Sequence, residues 1–124
     1  MNNNNFNLQN NMGNQSTGIS NYNGQNYFPP QVDVVEDDAA VYYICELPGV
    51  NPDNLNVELS DTDIFIEGNV NSIGQKQMNF LYQERRKGAF FRKMPLPVDV
   101  DNNNTEADFK HGLLKITFPK TNNF

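Results

Sequence analysis

Between residues 31 and 118 the apolar side chains come in short runs that alternate with polar ones, a period that places every second residue on one face of an extended chain. Val41, Tyr43, Cys45 and Leu47 form one such set, and Leu55, Val57 and Leu59, separated by Asn56 and Glu58, form another. Ile64 and Ile66 continue the pattern after a turn at 60–63, with Gly68 as its expected end. The runs are rich in Val, Ile, Phe and Tyr and are interrupted by Pro, Gly, Asn and Asp, the composition of strands with tight connections. Strands are predicted over 31–35, 40–47, 55–59, 64–68, 78–83, 88–96, 105–109 and 113–118, with no helix longer than a turn. Pro95 and Pro97 close the sixth of these, because proline has no amide hydrogen for a central ladder. A small all-β sandwich accommodates this many short, half-buried strands.

The first 28 residues are of another kind, with eleven Asn, three Gln and no charged side chain. Such a tract buries too little apolar surface to offset the entropy of ordering, so residues 1–28 are expected to be a disordered arm. Phe6, Leu8, Met12, Ile19, Tyr22, Tyr27 and Phe28 are spaced along it. Two readings stay open: a loose terminus, or weak apolar contacts for self-association and capture of other chains, aided by the stickiness of Asn-rich tracts. Pro29 and Pro30 mark the boundary, since prolines force extended backbone before them. The folded domain is placed at 29–120, followed by a short tail at 121–124.

A net charge of −6 argues against nucleic acid as a partner, because affinity for phosphates is built from clustered Lys and Arg. Arg85, Arg86, Lys87, Arg92 and Lys93 are the one basic cluster, and they are expected to offset acidic neighbours such as Glu84 on strand rims. No stretch approaches the roughly 18 apolar residues of a membrane-spanning helix, and the start shows no signal-peptide pattern, so no membrane partner and a cytoplasmic location are expected. Cys45, the one cysteine, alternates with core residues and is expected to be buried and inert. His111, the one histidine, precedes Gly112 and is expected to shape a turn rather than bind metal or move protons. Neither a catalytic group nor a cofactor site is expected.

Three motifs in order resemble the small heat-shock protein family, built on the α-crystallin domain, an immunoglobulin-like β-sandwich. Leu47-Pro48-Gly49 matches its Leu-Pro-Gly turn. Gly88-Ala89-Phe90-Phe91-Arg92-Lys93-Met94-Pro95-Leu96-Pro97 is similar to its Gly-x-Phe-x-Arg-x-x-x-Leu-Pro strand. Ala107-Asp108-Phe109-Lys110-His111-Gly112-Leu113-Leu114 is similar to its Ala-x-x-x-Asn-Gly-Val-Leu signature, with His111 and Leu113 as departures.

The resemblance implies a homodimer formed by strand exchange, in which Asn79, Phe80, Leu81, Tyr82, Gln83 and Glu84 pair with the edge of a partner's sheet. Arg92 falls on the family's interface arginine, with Glu84 or Glu67 as candidate partners. It also implies a groove for hydrophobic segments between strands at 55–59 and 105–109, lined by Val57, Leu59, Thr105 and Ala107. Thr105 replaces a usually apolar residue there, and the tail lacks the family's Ile-x-Ile segment, so dimers or arm-held assemblies are expected over a regular cage. The implied activity is that of an ATP-independent chaperone holding partly unfolded clients. The alternative is a spore-coat or other structural protein on the same domain. Related co-chaperones share the sandwich without a strand-exchange loop, and the length of the excursion from Gly68 to Gly88 argues against them.

Overall fold

Period-two alternation becomes two facing sheets in the computed structural model, which describes residues 9–10, 27–71 and 78–121. In chain order the strands are β1 (Gln9–Asn10), β2 (Val32–Glu36), β3 (Ala40–Glu46), β4 (Leu55–Leu59), β5 (Asp63–Val70), β6 (Gly88–Pro95), β7 (Glu106–Lys110) and β8 (Leu113–Pro119). One sheet has the order β1-β4-β5-β6 and the other β2-β3-β8-β7. Every pairing is antiparallel except β1 with β4. The only helical turns among the described residues are three-residue pieces at Pro52–Asn54 and Asn102–Asn104, each capped by the side chain of the residue before it, Asn51 and Asp101.

The alternating residues meet between the sheets. Ile64, Ile66 and Phe90 from one sheet and Cys45, Leu114, Ile116 and Phe118 from the other are wholly removed from solvent. Each such side chain contributes roughly 1.5–3 kcal/mol relative to exposure. Tyr43 packs edge-on against Phe118 and donates its hydroxyl to the Pro95 carbonyl at 2.8 Å, a tie from one sheet to the other. Turn chemistry fixes the registers. Asp37 accepts hydrogen bonds from the amides of Ala39 (2.8 Å) and Ala40 (2.9 Å) and from the Tyr42 hydroxyl (2.9 Å), closing the β2–β3 hairpin. At the β7–β8 hairpin His111 (φ 56°) and Gly112 (φ 77°) are both left-handed, the two-residue turn whose twist suits flanking strands. His111 therefore has the turn role its position suggests, and the Gly112 carbonyl receives the Leu47 amide at 2.7 Å.

Three expectations change. Gly68 does not end its strand: β5 continues to Val70, because a residue without a side chain lets the ladder pass where a Cβ would lie 2.2 Å from the Asn54 carbonyl oxygen and 2.6 Å from the Phe90 ring. The segment from Met78 forms no strand, because it lies along none of the described sheet edges and a ladder needs a partner strand. And Tyr27 and Phe28, inside the predicted arm, pack on the domain ahead of Pro29. The Phe28 amide bonds the Ala89 carbonyl and its own carbonyl receives the Phe91 amide, both at 3.1 Å, while its ring lies 5.8 Å from that of Phe90. The expected disorder of the arm, most of its apolar residues, the loop at 72–77 and the tail at 122–124 lie outside the described residues.

Gly68→Ala is expected to destabilise the domain by about 1–3 kcal/mol or more through overpacking. A lowered urea midpoint with unchanged slope is the expected result.

Candidate binding surfaces

The chain offers three surfaces on which something could bind, and all of them follow from where the sheets stop. The first is the excursion between β5 and β6. Met78 and Phe80 are 62 % and 54 % exposed, and Leu81 and Tyr82 are 95 % and 85 % exposed, an apolar stretch held in solvent. Lys87 places its ammonium 5.0 Å from the centre of the Phe80 ring, and the Arg86 guanidinium stands 5.0 Å from that of Phe28. Asn79, Gln83 and Glu84, the other residues expected at a dimer interface, are exposed on the same stretch.

The second surface is the pair of sheet edges beside it. β2 is an edge whose Val34 and Val35 are exposed, whereas the β6 edge is partly closed by Phe28. Arg92, on β6 opposite Ile66, sends Nη1 to the Pro30 carbonyl at 3.0 Å instead of to Glu84 or Glu67. Glu67 instead receives the Asn56 side-chain amide at 3.2 Å, and that amide also donates to Glu58 at 2.9 Å. Within one chain, then, Arg92 clamps the segment after the proline pair to the sheet.

The third is the seam between β4 and β7, on opposite sheets. Val57, Leu59 and Ala107 are all buried and belong to the core, so in this structure they are not an open groove lining. Thr105, just ahead of β7, is partly exposed as a residue, but its Oγ1 is buried and has no hydrogen-bond partner, alone among the side-chain polar atoms of the described residues. Leaving such a group unpaired costs roughly 1–3 kcal/mol. β1 runs along the outer side of β4.

One site escaped the sequence entirely. A cavity of about 430 Å³ is lined by Phe28, Pro30, Leu47 and Val70 together with Arg85 and Arg86. Its walls come from four separate stretches, and no local pattern announces them.

Among the described residues, groups suited to metal chemistry are not gathered. Burial pushes the Cys45 thiol up to about 12, with Arg92 only partly opposing it, so the thiolate is suppressed in neutral solution. No three His, Cys, Asp or Glu side chains among the described residues come together as a metal would require.

Exposed apolar residues on an excursion, open strand edges and a close-packed core define a module that binds through surfaces. The Hsp20/alpha crystallin family model matches residues 33–124. Small heat shock protein C4 of Rickettsia felis is 35 % identical over 92 residues, covering 73 % of this chain and 56 % of that protein. Spore protein SP21 of Stigmatella aurantiaca is 32 % identical over 103 residues, covering 82 % of this chain and 61 % of that protein. The structure of heat shock protein 16.0 from Schizosaccharomyces pombe superposes with a TM-score of 0.69 at 33 % identity, covering 76 % of this chain and 88 % of that one. The chain belongs to the Hsp20/alpha crystallin family, the small heat shock proteins, which are chaperones rather than enzymes. It spans somewhat more than half the length of the two curated relatives.

Because the folded thiol ionises only near 12, unfolding releases its proton in milder alkali, and stability must fall as pH rises above the ordinary thiol range. Cys45→Ala is expected to remove part of that fall; the rest comes from Tyr42, held up chiefly by its bond to Asp37, and Tyr43, held up by burial. Urea unfolding at a series of alkaline pH values checks this. Thiol reagents at pH 8 are expected to label Cys45 only in denaturant.

Proposed function

We propose that this protein is an ATP-independent holding chaperone whose working unit is a strand-exchanged homodimer. The observation that carries the reading is the excursion: Phe80, Leu81 and Tyr82 are held in solvent on a segment that alternates like a strand but has no ladder in its own chain. The exposed apolar side chains would be covered if 79–84 adds to the edge of a second copy, where β2 offers an edge strand. Such an exchange covers an edge that would otherwise invite indiscriminate association, and gives a symmetric pair. In the dimer Glu84 would come within reach of an arginine such as Arg92 of the second copy.

Clients that expose apolar surface would be held by the remaining edges, the β4–β7 seam and the arm, with larger assemblies joined through the arm. Holding lowers the free concentration of aggregation-prone chains by mass action and requires no nucleotide. The sequence contains no Gly-x-x-x-x-Gly-Lys-Ser/Thr loop to bind one. A cytoplasmic site of action suits a chain with one buried thiol and no helix among the described residues that is long and apolar enough to cross a membrane.

A second reading is favoured by one observation, the similarity to Spore protein SP21. On that reading the domain is a structural component of a spore coat, and the Asn-rich arm serves assembly rather than capture. Light scattering of a heat-labile client at equal subunit ratio separates the two. Suppressed scattering supports holding; unchanged scattering together with recovery of the protein in an insoluble spore fraction supports the coat.

Phe80→Ser/Leu81→Ser/Tyr82→Ser removes three large apolar side chains from the exchanged segment, a loss of several kcal/mol. The dimer dissociation constant is expected to rise at least about 100-fold, while circular dichroism stays that of the parent. Sedimentation at micromolar concentration reads the change, and an unaltered dimer would rule the exchange out.

A further inference from the structure

The cavity lined by Phe28, Pro30, Leu47 and Val70 takes no part in the strand exchange proposed above, since none of its lining residues lies in 79–84. At about 430 Å³ it falls within the roughly 300–1,000 Å³ usual for small-molecule sites. Its walls are held by bonds to the rest of the domain. Phe28 is fixed through its amide and carbonyl to Ala89 and Phe91, and the Pro30 carbonyl accepts from Arg92 at 3.0 Å. The Leu47 amide donates to the Gly112 carbonyl at 2.7 Å, and Val70 pairs with Gly88 at the end of β5. Leu47 and Val70 also belong to the buried core. The apolar part of the site is therefore preformed.

Arg85 and Arg86 bring charge to the same lining, and both are exposed. The Arg86 guanidinium stands 5.0 Å from the centre of the Phe28 ring. Arg85 places Nη2 3.3 Å from the position a Cβ on Gly49 would take, and Gly49 has a φ of 82° that favours glycine. The Leu47-Pro48-Gly49 turn thus supplies an apolar wall and the room in which Arg85 rests. Among the described residues the one ion pair joins Lys120 to Glu36, so neither guanidinium of the cavity is neutralised by a carboxylate. Glu46 also lines the space, one anion against two cations. An inorganic anion would satisfy the guanidiniums and leave the apolar walls in water, and a neutral hydrocarbon would do the reverse. A carboxylate on an aliphatic chain meets both demands: its two oxygens suit the planar guanidinium fork, and its methylenes leave water for the walls.

We propose that this cavity binds one medium-chain aliphatic carboxylate, its chain against Phe28, Leu47 and Val70 and its head group on Arg85 and Arg86. The site goes beyond the holding function and does not depend on it, because its ligand is a small anion rather than an unfolded chain.

Isothermal titration calorimetry of the full chain with sodium decanoate, below its micelle-forming range, tests the assignment. One site per chain is expected, with decan-1-ol and inorganic sulfate each binding at least about tenfold more weakly. Arg85→Met/Arg86→Met keeps two long apolar side chains and is expected to weaken decanoate at least about tenfold, to the level of decan-1-ol, with unchanged circular dichroism. Lys93→Met/Lys110→Met removes the same charge elsewhere and is expected to leave the affinity within about twofold. No binding of decanoate, equal binding of decanoate and decan-1-ol, or undiminished affinity in the arginine variant would overturn the site. Phe80→Ser/Leu81→Ser/Tyr82→Ser is expected to bind decanoate like the parent; loss of binding there would place the ligand on the excursion and overturn the cavity. That triple variant also reads the dimer, so the two proposals fail separately: an unaltered dimer that still binds decanoate removes the exchange alone, and a lost dimer in a chain that never binds decanoate removes the site alone.

Discussion

Two inner faces that interlock, Ile64, Ile66 and Phe90 against Cys45, Leu114, Ile116 and Phe118, hold everything else in position. A strand sliding by one residue would turn its whole apolar set to solvent, so this burial locks register as well as adding stability. Once register is locked, the outward residues, the turns and the ends of each ladder are placed without further choice. The Tyr43 to Pro95 bond then ties one sheet to the other.

A sandwich locked in this way cannot remove its own edges. β2 is left with exposed Val34 and Val35, β6 is bridged at Phe28, and β4 carries a two-residue strand from the arm. Unpaired edges next to apolar residues are an aggregation hazard in most proteins. On the function proposed for this member of the small heat shock proteins those features have a use, since backbone groups that invite aggregation can pair with another chain. Net negative charge keeps copies apart elsewhere on the surface.

Most of the strands were legible because alternation is a local property: Val57 and Leu59, or Val41 and Cys45, declare their shared face within a few residues. The His111-Gly112 turn was legible for the same reason. Gly68 misled, because a glycine that ends a strand and one that lets a strand pass beneath a ring look alike until Phe90 is in place. The 78–83 stretch has the alternation of a strand, but a ladder needs a second edge beside it, and this stretch lies along none of the described sheets. Arg92 was expected to meet a carboxylate and meets the Pro30 carbonyl, because the proline pair is brought beside β6 by Phe28, which sequence spacing does not show.

By itself the sequence determined an all-β domain, the approximate place of its strands, the inert cysteine and the family. Each depends on which residues lie two, three or four positions apart. The tertiary structure decided that Val57, Leu59 and Ala107 are buried in the core, that the Thr105 hydroxyl is buried without a partner, that Phe28 bridges to β6, and that Gln9–Asn10 pairs with β4. Those facts depend on distances between residues far apart in the chain, which only the closing of two sheets on one core defines.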